Sequence, residues 1–548
     1  MIPTEASAPP RQRLFRYSLC GWDKKCYICI MDKECGKYPV GVQSFREIRT
    51  GNYYYADKTE YVWQLVNTGK YYFLSRPRRF GKSLLLSTLE AYLSGCKGLF
   101  EGLKIASLEK EWTQYPVLHL DLNIGKYDNL NSLTEVIDSF IEKNARRFKV
   151  AHNPDAEPEL RFQRLIEEIE ATTMQQVVVL VDEYNKPLLN SIDKESVYRE
   201  MQRQLKAFYG VLKTCDKSIK FAMLTGVARF GKVSIFSDLN NLRDISLDST
   251  YNGACGISES ELEEVFEYPI KKLAECQGMT VESTKSELRR MYDGYRFSGS
   301  VPHERIYNPF SIINCFASMN FGEYWFDTGT PSFLMKMLVK AGFNFSREQI
   351  DVTENILKGV NVPEGSPFSL LYQTGYFTIK DYDKRFRRYT LGLPNEEVRT
   401  GFNSMAFIAY GGRRANEFSI PEFLDDLESG NVGGFMQRLK SMISSIPYEQ
   451  AIQSESVYHN VLYLLFTMLN YQTETETHLN NGRTDMVVKT RDYIYIFEFK
   501  FNQPVAKAMS QINSRHYDEP YKADGRKIIK IGVNFSPDER NIQDWNAE

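Results

Sequence analysis

The sequence predicts an α/β protein. A parallel sheet with helices on both faces comes first, then a mostly helical stretch, then a smaller C-terminal α/β domain. Three observations predict it. Short apolar runs alternate with helical periodicity between about residues 37 and 255. That alternation stops over about 256–445, where helical patterning and aromatic residues dominate. Strand-like runs return over 446–548, around a very apolar hairpin. A length of 548 residues holds about three or four domains at roughly 150 residues each. The expected division is a disordered tail over 1–36, then domains at 37–255, 256–445 and 446–548.

The first sheet is read element by element. Lys70–Leu74 is a buried strand that leads into Ser75-Arg-Pro-Arg-Arg-Phe-Gly-Lys-Ser83, and an apolar helix follows over Leu84–Leu93. Tyr115–Leu122 is a second strand, and Leu130–Phe148 and Leu160–Thr172 have helical spacing. Gln176–Asp182 is a continuous apolar run ending in acid, the pattern of a strand buried on both faces. A helix over Val197–Thr214 and a strand over Lys220–Thr225 complete the alternation. Farther on, helices are expected at Glu259–Cys276 and Ser283–Tyr292, with small strands near 376–380 and 388–391. The last segment reads as a helix at Glu455–Leu469, strands at Asp485–Thr490 and Tyr493–Phe501, a helix at Val505–Ser514 and a strand at Lys527–Val533.

Composition narrows the class. Hydrophobic residues make up 42% and charged residues 25%, which excludes collagen-like, mucin-like and wholly disordered chains. Lys+Arg is 68 against Asp+Glu 70, a net charge of -2. That balance argues against a protein wrapped all over in nucleic acid and allows a local basic groove. No run of about 18 apolar residues exists, so no membrane span is expected. Nine cysteines, an odd number, do not make a disulfide framework, and the cytoplasm is the expected compartment. Cys20, Cys26, Cys29 and Cys35 have some zinc-site spacing. The globular pattern begins only near Lys37, which favours a tail or upstream sequence for the first thirty residues.

Phe80-Gly81-Lys82-Ser83 follows a strand and opens a helix, the setting of a phosphate-binding loop. Backbone N–H groups at a helix N-terminus attract anions. Gly81 permits the turn, Lys82 reaches the β- and γ-phosphates, and the Ser83 hydroxyl ligates Mg²⁺. Arg76 stands where the usual G-x-x-x-x-G-K-[ST] pattern has its first glycine. The opening turn must therefore differ, or Arg76 must adopt an unusual backbone. The loop arginines are expected to add charge around the phosphates. Asp182-Glu183 ends the apolar strand as a Walker B pair does: Asp182 holds Mg²⁺ and Glu183 orients or deprotonates the attacking water. Thr225, at the end of the next strand, is the expected γ-phosphate sensor. Arg229, just beyond it, is either a nucleotide-binding residue or a loop arginine paired with a local carboxylate. ATP and Mg²⁺ are the expected cofactors.

A second constellation lies in the hairpin. Side chains alternate along a strand, so Glu498 and Lys500 share a face. With Arg491-Asp492 as a two-residue turn, 490 faces 493 and 485 faces 498. Asp485 and Glu498 are then cross-strand neighbours with Cβ atoms about 5 Å apart. Two carboxylates that close repel unless a cation lies between them. Mg²⁺ held by Asp485, Glu498 and the Phe499 carbonyl resolves this, with Lys500 positioning a water or stabilising transition-state charge. The competing reading is an ordinary cross-strand Glu–Lys pair.

Ordered landmarks run through the chain: Tyr38-Pro-Val-Gly-Val-Gln-Ser-Phe, Arg76-Pro-Arg-Arg-Phe-Gly-Lys-Ser, Val181-Asp-Glu-Tyr, Tyr324-Trp-Phe-Asp-Thr-Gly-Thr-Pro, Gln373-Thr-Gly-Tyr, Gly482-Arg-Thr-Asp485 and Ile496-Phe-Glu-Phe-Lys500. On these the chain resembles a bacterial family, abundant in Bacteroides-type and related anaerobes, that joins an AAA-ATPase-like domain to a C-terminal PD-(D/E)XK nuclease-superfamily domain. The resemblance covers nearly everything from about Tyr38. It implies an AAA-like P-loop NTPase fold and a nuclease fold, without requiring that cleavage is retained. The expected function is an ATP-hydrolysing, Mg²⁺-dependent nuclease acting on nucleic acid, DNA before RNA. The catalytic set is Glu183, Asp485, Glu498 and Lys500. AAA-type domains often form rings, so a homo-oligomer is expected, with Arg229 or Arg243 completing a neighbour's site. The alternative is a regulatory or signalling NTPase whose nuclease-like domain only binds nucleic acid or a protein partner.

Overall fold

The computed structural model describes residues 36–548, apart from 152, 193, 230–238, 240, 300–303, 326–331, 348, 359–366, 412–419, 445–454, 470–471 and 480–481. The four N-terminal cysteines considered for zinc lie outside the described residues. The chain forms two compact units. One gathers the chain up to Trp325 with Asp351–Asn395, and the other gathers 326–350 with 396–548.

The first unit is built on β1 (Tyr71–Ser75), β2 (Val117–Asp121), β3 (Val177–Asp182), β4 (Ile219–Gly226) and β5 (Arg243–Asp244). They form one parallel sheet in the order β2-β3-β4-β1-β5. The connecting helices include α1 (Lys82–Leu93), α2 (Leu130–Phe148), α3 (Pro158–Thr173) and α4 (Glu195–Thr214). Every residue of β3 is buried, which is why it reads as an unbroken apolar run. Helix α4 buries Tyr198, Met201, Leu205, Phe208, Tyr209 and Leu212, a stripe at helical spacing. Phe208 stacks on Phe162 of α3 with ring centroids 4.4 Å apart. Each such side chain contributes about 2–3 kcal/mol by leaving water. The strand order places β4 between β1 and β3: Leu74 faces Thr225, and Val181 faces Leu224.

The rest of this unit holds the antiparallel pair β6 (Ile257–Ser258) and β7 (Ile306–Tyr307), and the three-stranded sheet β8 (Gln349–Thr353), β10 (Arg388–Gly392) and β9 (Thr378–Asp383). Its helices are α5 (Glu259–Val265), α6 (Glu267–Gln277), α7 (Val281–Tyr292), α8 (Pro309–Ser318) and α9 (Pro367–Thr374). The single helix expected over 259–276 is thus two. Ser258 and Glu261 make a capping box that starts α5. Pro269 has no N–H to give the carbonyl of Val265 and its ring crowds that carbonyl, so the helix breaks and restarts.

The second unit has α10 (Glu396–Gly411), α11 (Ile420–Ser429), α12 (Val432–Ser444), α13 (Glu455–Met468) and α14 (Val505–Ser514). They accompany a five-stranded sheet in chain order: β11 (Gln472–Leu479), β12 (Gly482–Lys489), β13 (Tyr493–Phe501), β14 (Lys527–Ser536) and β15 (Asn541–Ala547). Only β13 and β14 run parallel, and α14 makes the crossover between them. Val487, Ile494, Ile496, Met509, Ile512 and Tyr517 form a core beneath that helix. The last expected strand, ending at Val533, in fact runs on to Ser536 and is followed by β15. No helix among the described residues is long and apolar enough to cross a membrane.

Candidate functional sites

In the first unit, the loop from Ser75 to Gly81 joins β1 to α1. Gly81 is the N-cap of α1 with φ +93, and a Cβ added there would meet nothing within 4 Å. The mouth of the loop is open, and the free N–H groups of the first turn of α1 lie at it. Ser83 is in that first turn. Lys82 is 4% exposed, and its ammonium donates to the carbonyls of Arg76 (3.1 Å) and Pro77 (3.2 Å). The same ammonium lies 3.2 Å from Glu183 Oε1.

Arg76 corrects the expectation for the loop arginines. Its backbone is not left-handed; Arg79 takes that conformation, with φ +67. The Arg76 side chain is 1% exposed and bonds to the carbonyls of Ser75 (2.9 Å), Ser246 (2.8 Å) and Tyr251 (2.9 Å). Its guanidinium stacks on Phe297 at 4.3 Å. Burial pushes the guanidinium pKa down, and its charge is spent on protein carbonyls rather than on a bound anion. Arg78 and Arg79 remain exposed.

The inserted strand β4 brings the acidic residues together. Thr225 is fully buried and donates its hydroxyl to Asp182 Oδ1 at 2.7 Å. The same oxygen accepts the N–H of Glu183 at 3.0 Å. Glu183 sits in the left-handed region with φ +51, which turns the chain sharply after β3 and sends its carboxylate to Lys82. Lys82, Asp182, Glu183 and Thr225 are therefore connected through direct bonds. Arg229 is engaged elsewhere: its guanidinium pairs with Asp244, and its N–H donates to Gln373 Oε1 at 2.7 Å. Arg243 pairs with Asp248 at 2.8 Å. Sequence reasoning missed Gln373, although the Gln373-Thr-Gly-Tyr landmark contains it.

In the second unit, β12 and β13 pair with Met486 facing Phe497 and Lys489 facing Ile494. The Thr490 N–H bonds to the Tyr493 carbonyl at 2.9 Å, so Arg491-Asp492 is the turn. The paired register ends at Met486 and Phe497, and Asp485 and Glu498 are the next residues on the two strands. Asp485 Oδ2 accepts the Phe499 N–H at 2.8 Å. Glu498 is 1% exposed. The Lys500 ammonium donates to Glu498 Oε1 at 2.6 Å and to the Phe499 carbonyl at 3.3 Å. It rests on two of the three oxygens expected to hold Mg²⁺, an arrangement that the reading as an ordinary Glu–Lys pair accounts for equally. Gln511 bonds to the Tyr517 hydroxyl at 3.2 Å. His459 on α13, which sequence reasoning did not single out, has Nε2 3.3 Å from the Asp485 carbonyl oxygen.

Residues 39–236 match a family described as "Predicted AAA-ATPase", AAA-ATPase-like, and residues 453–545 match the PD-(D/E)XK nuclease superfamily. A curated relative, the "Uncharacterized protein in vnfD 5'region" of Azotobacter chroococcum mcd 1, is 35% identical over 525 residues, covering 93% of this chain and 99% of its own length. The chain belongs to the same family as that protein, with an AAA-ATPase-like domain followed by a PD-(D/E)XK nuclease-superfamily domain. Among solved structures, the ORC2 protein of Aeropyrum pernix (ADPNP-ADP complexes) is 12% identical, with 66% of this chain and 95% of that one covered and a TM-score of 0.23. Cdc6p of Pyrobaculum aerophilum is 11% identical, with 64% and 92% covered and a TM-score of 0.21. At those scores the likeness carries no argument about this chain.

Proposed function

We propose that the protein binds and hydrolyses Mg·ATP in its first unit and cleaves phosphodiester bonds of nucleic acid, DNA first, in its second. The observation that supports the cleavage reading is the group of bonds at the head of the hairpin: Asp485 accepts the Phe499 N–H, and Lys500 is bonded to the neighbouring, buried Glu498.

At the loop, the N–H groups of α1 receive the phosphates. Lys82 exchanges the carbonyls of Arg76 and Pro77 for phosphate oxygens. Ser83 and Asp182 are the oxygen donors placed for Mg²⁺. Release of Lys82 frees Glu183, whose carboxylate then orients and deprotonates the attacking water. Thr225, tied to Asp182, keeps that carboxylate in place and lies where the terminal phosphate is sensed.

At the hairpin, Asp485, Glu498 and the Phe499 carbonyl form an all-oxygen set of the kind a hard divalent cation takes, and Lys500 already places positive charge there. Bound Mg²⁺ would polarise the phosphate and lower the pKa of a water. The Phe499 N–H fixes the Asp485 carboxylate. Lys500, once it leaves Glu498, orients the water or stabilises charge on the phosphate.

Cleavage of labelled single- and double-stranded DNA by the full chain, with Mg²⁺ or Mn²⁺ and with or without ATP, tests this. Metal-dependent cutting is expected. Absence of cutting of either strand form, and of the same sequences as RNA, under every condition refutes the nuclease reading and leaves the NTPase reading to stand or fall on ATP turnover.

A further inference from the structure

The nucleotide loop is gripped at its apex as well as from beneath. Trp325 is 7% exposed and donates its indole N–H to the carbonyl of Arg78 at 3.2 Å. Its ring lies 5.3 Å from Tyr376 in an edge-on arrangement. Gly375 closes the same contact. With φ +91, it allows an approach in which an added Cβ would lie 2.6 Å from Pro77 Cβ and 3.4 Å from Trp325 Cζ2. Pro77 and Arg78 thus press against Gly375 and Trp325.

Three successive loop carbonyls are taken by side chains. Those of Arg76 and Pro77 go to Lys82, and that of Arg78 goes to Trp325. Nucleotide binding draws Lys82 away from the first two, so the Trp325 bond is the side-chain anchor left on these three carbonyls, while the Arg76 side chain and the Phe80 carbonyl, which accepts the Gly256 N–H, hold the two ends of the loop.

We propose that Trp325 is a positioning residue for the nucleotide loop, holding the Arg78 carbonyl so that the empty loop keeps the conformation that receives the phosphates. This deepens the nucleotide reading above and rests on it.

The test uses the full chain and Mg·ATP. Binding is measured by calorimetry, and tryptophan emission is followed in the same titration. Trp325 is one of five tryptophans. In the wild type, emission is expected to change with the midpoint that calorimetry gives. In Trp325→Phe, which keeps a ring and removes the N–H, the emission change is expected to vanish. Affinity should fall roughly 3- to 10-fold, because the empty loop, held by one bond fewer, spends less of its time in the conformation that receives the phosphates. A merely structural role would lower stability and leave the nucleotide affinity of the folded variant at the wild-type value. Persistence of the emission change in Trp325→Phe, or wild-type affinity in that variant, overturns the proposal and leaves the nucleotide site standing. A wild type that binds no nucleotide by calorimetry refutes the nucleotide site itself, and this inference falls with it. Should Trp325→Phe fail to fold, a protein with Phe at 22, 63, 112 and 545 keeps Trp325 as its sole indole. An ATP-dependent shift there supports the proposal, and a silent titration with calorimetric binding overturns it.

Discussion

Lys500→Ala is expected to stop phosphodiester cleavage and to loosen the hairpin that carries it, leaving ATP binding at the first unit intact. The Lys500 ammonium is 2.6 Å from Glu498 Oε1, and that carboxylate is 1% exposed. Stripping the partner from a fully buried pair costs about 3–5 kcal/mol. The Lys500 side chain is 16% exposed, so the local loss should be smaller, about 2–3 kcal/mol, the range of a charge-assisted hydrogen bond. A preorganised cation at the phosphate is worth roughly 10²–10³ in rate. Mg²⁺ should restore more stability to the variant than it gives the wild type, because the ion then meets two carboxylates with no ammonium between them. At a hundredfold excess over its dissociation constant, a bound ion adds about 2.7 kcal/mol. Hydrogen exchange of peptides spanning β12 and β13 isolates this effect, where a melt of a two-unit chain does not. Wild-type cutting by Lys500→Ala, or unchanged exchange in the hairpin, refutes the reasoning.

Two other outcomes are expected. Glu183→Gln should retain ATP affinity or raise it, since Lys82 loses a charged competitor, and should slow hydrolysis about 10²–10⁴-fold; turnover at the wild-type rate would refute the base assignment. The second concerns His119, whose Nδ1 is 2.8 Å from Glu90 Oε2. Burial pulls the imidazole pKa down, but the Glu90 hydrogen bond and charge outweigh it, so the net direction is up. That same hydrogen bond holds Glu90 below the usual carboxylate range. A raised histidine gives its full stabilisation below about pH 6.5 and loses it as pH rises through the folded value. Glu90 gives its share above the ordinary carboxylate pKa and loses it as pH falls through its lowered value. The pair is partly exposed, at 25% and 36%, so about 0.5 kcal/mol should be lost on the alkaline side. Hydrogen exchange of peptides spanning α1 and β2 from pH 6 to 8.5, corrected for the intrinsic pH dependence of exchange, should show it, and an identical slope in His119→Gln would refute the assignment.

The parallel sheet was legible because its strands are buried on both faces and carry unbroken apolar runs, as in β3. The hairpin was legible for a different reason: an apolar strand that spends two charges at alternate positions announces a face, and a two-residue turn sets the register. What escaped were the margins. Strands β11 and β15 are the two edges of their sheet. Their sequences, Gln-Thr-Glu-Thr-Glu-Thr-His-Leu and Asn-Ile-Gln-Asp-Trp-Asn-Ala, carry no apolar run, as befits strands guarded against further pairing. Arg76 escaped because the glycine it replaces suggests a question about backbone, whereas its contribution lies in a side chain bonded to carbonyls far along the chain. Trp325 reaches Arg78 of the loop across 247 residues and Gln373 reaches Arg229 across 144, separations at which no local pattern speaks.

The two-residue turn at Arg491-Asp492 acts as a ruler. It fixes how much chain separates Asp485 from Glu498, and side chains alternate along each strand, so a single inserted or deleted residue there would carry one carboxylate to the opposite face. Every chemical group would still be present, in order, and the pair would no longer meet. For the site as proposed, then, a change of length alone would abolish cleavage while leaving Asp, Glu and Lys untouched. The residue count between the two carboxylates is as much a part of that site as the three side chains.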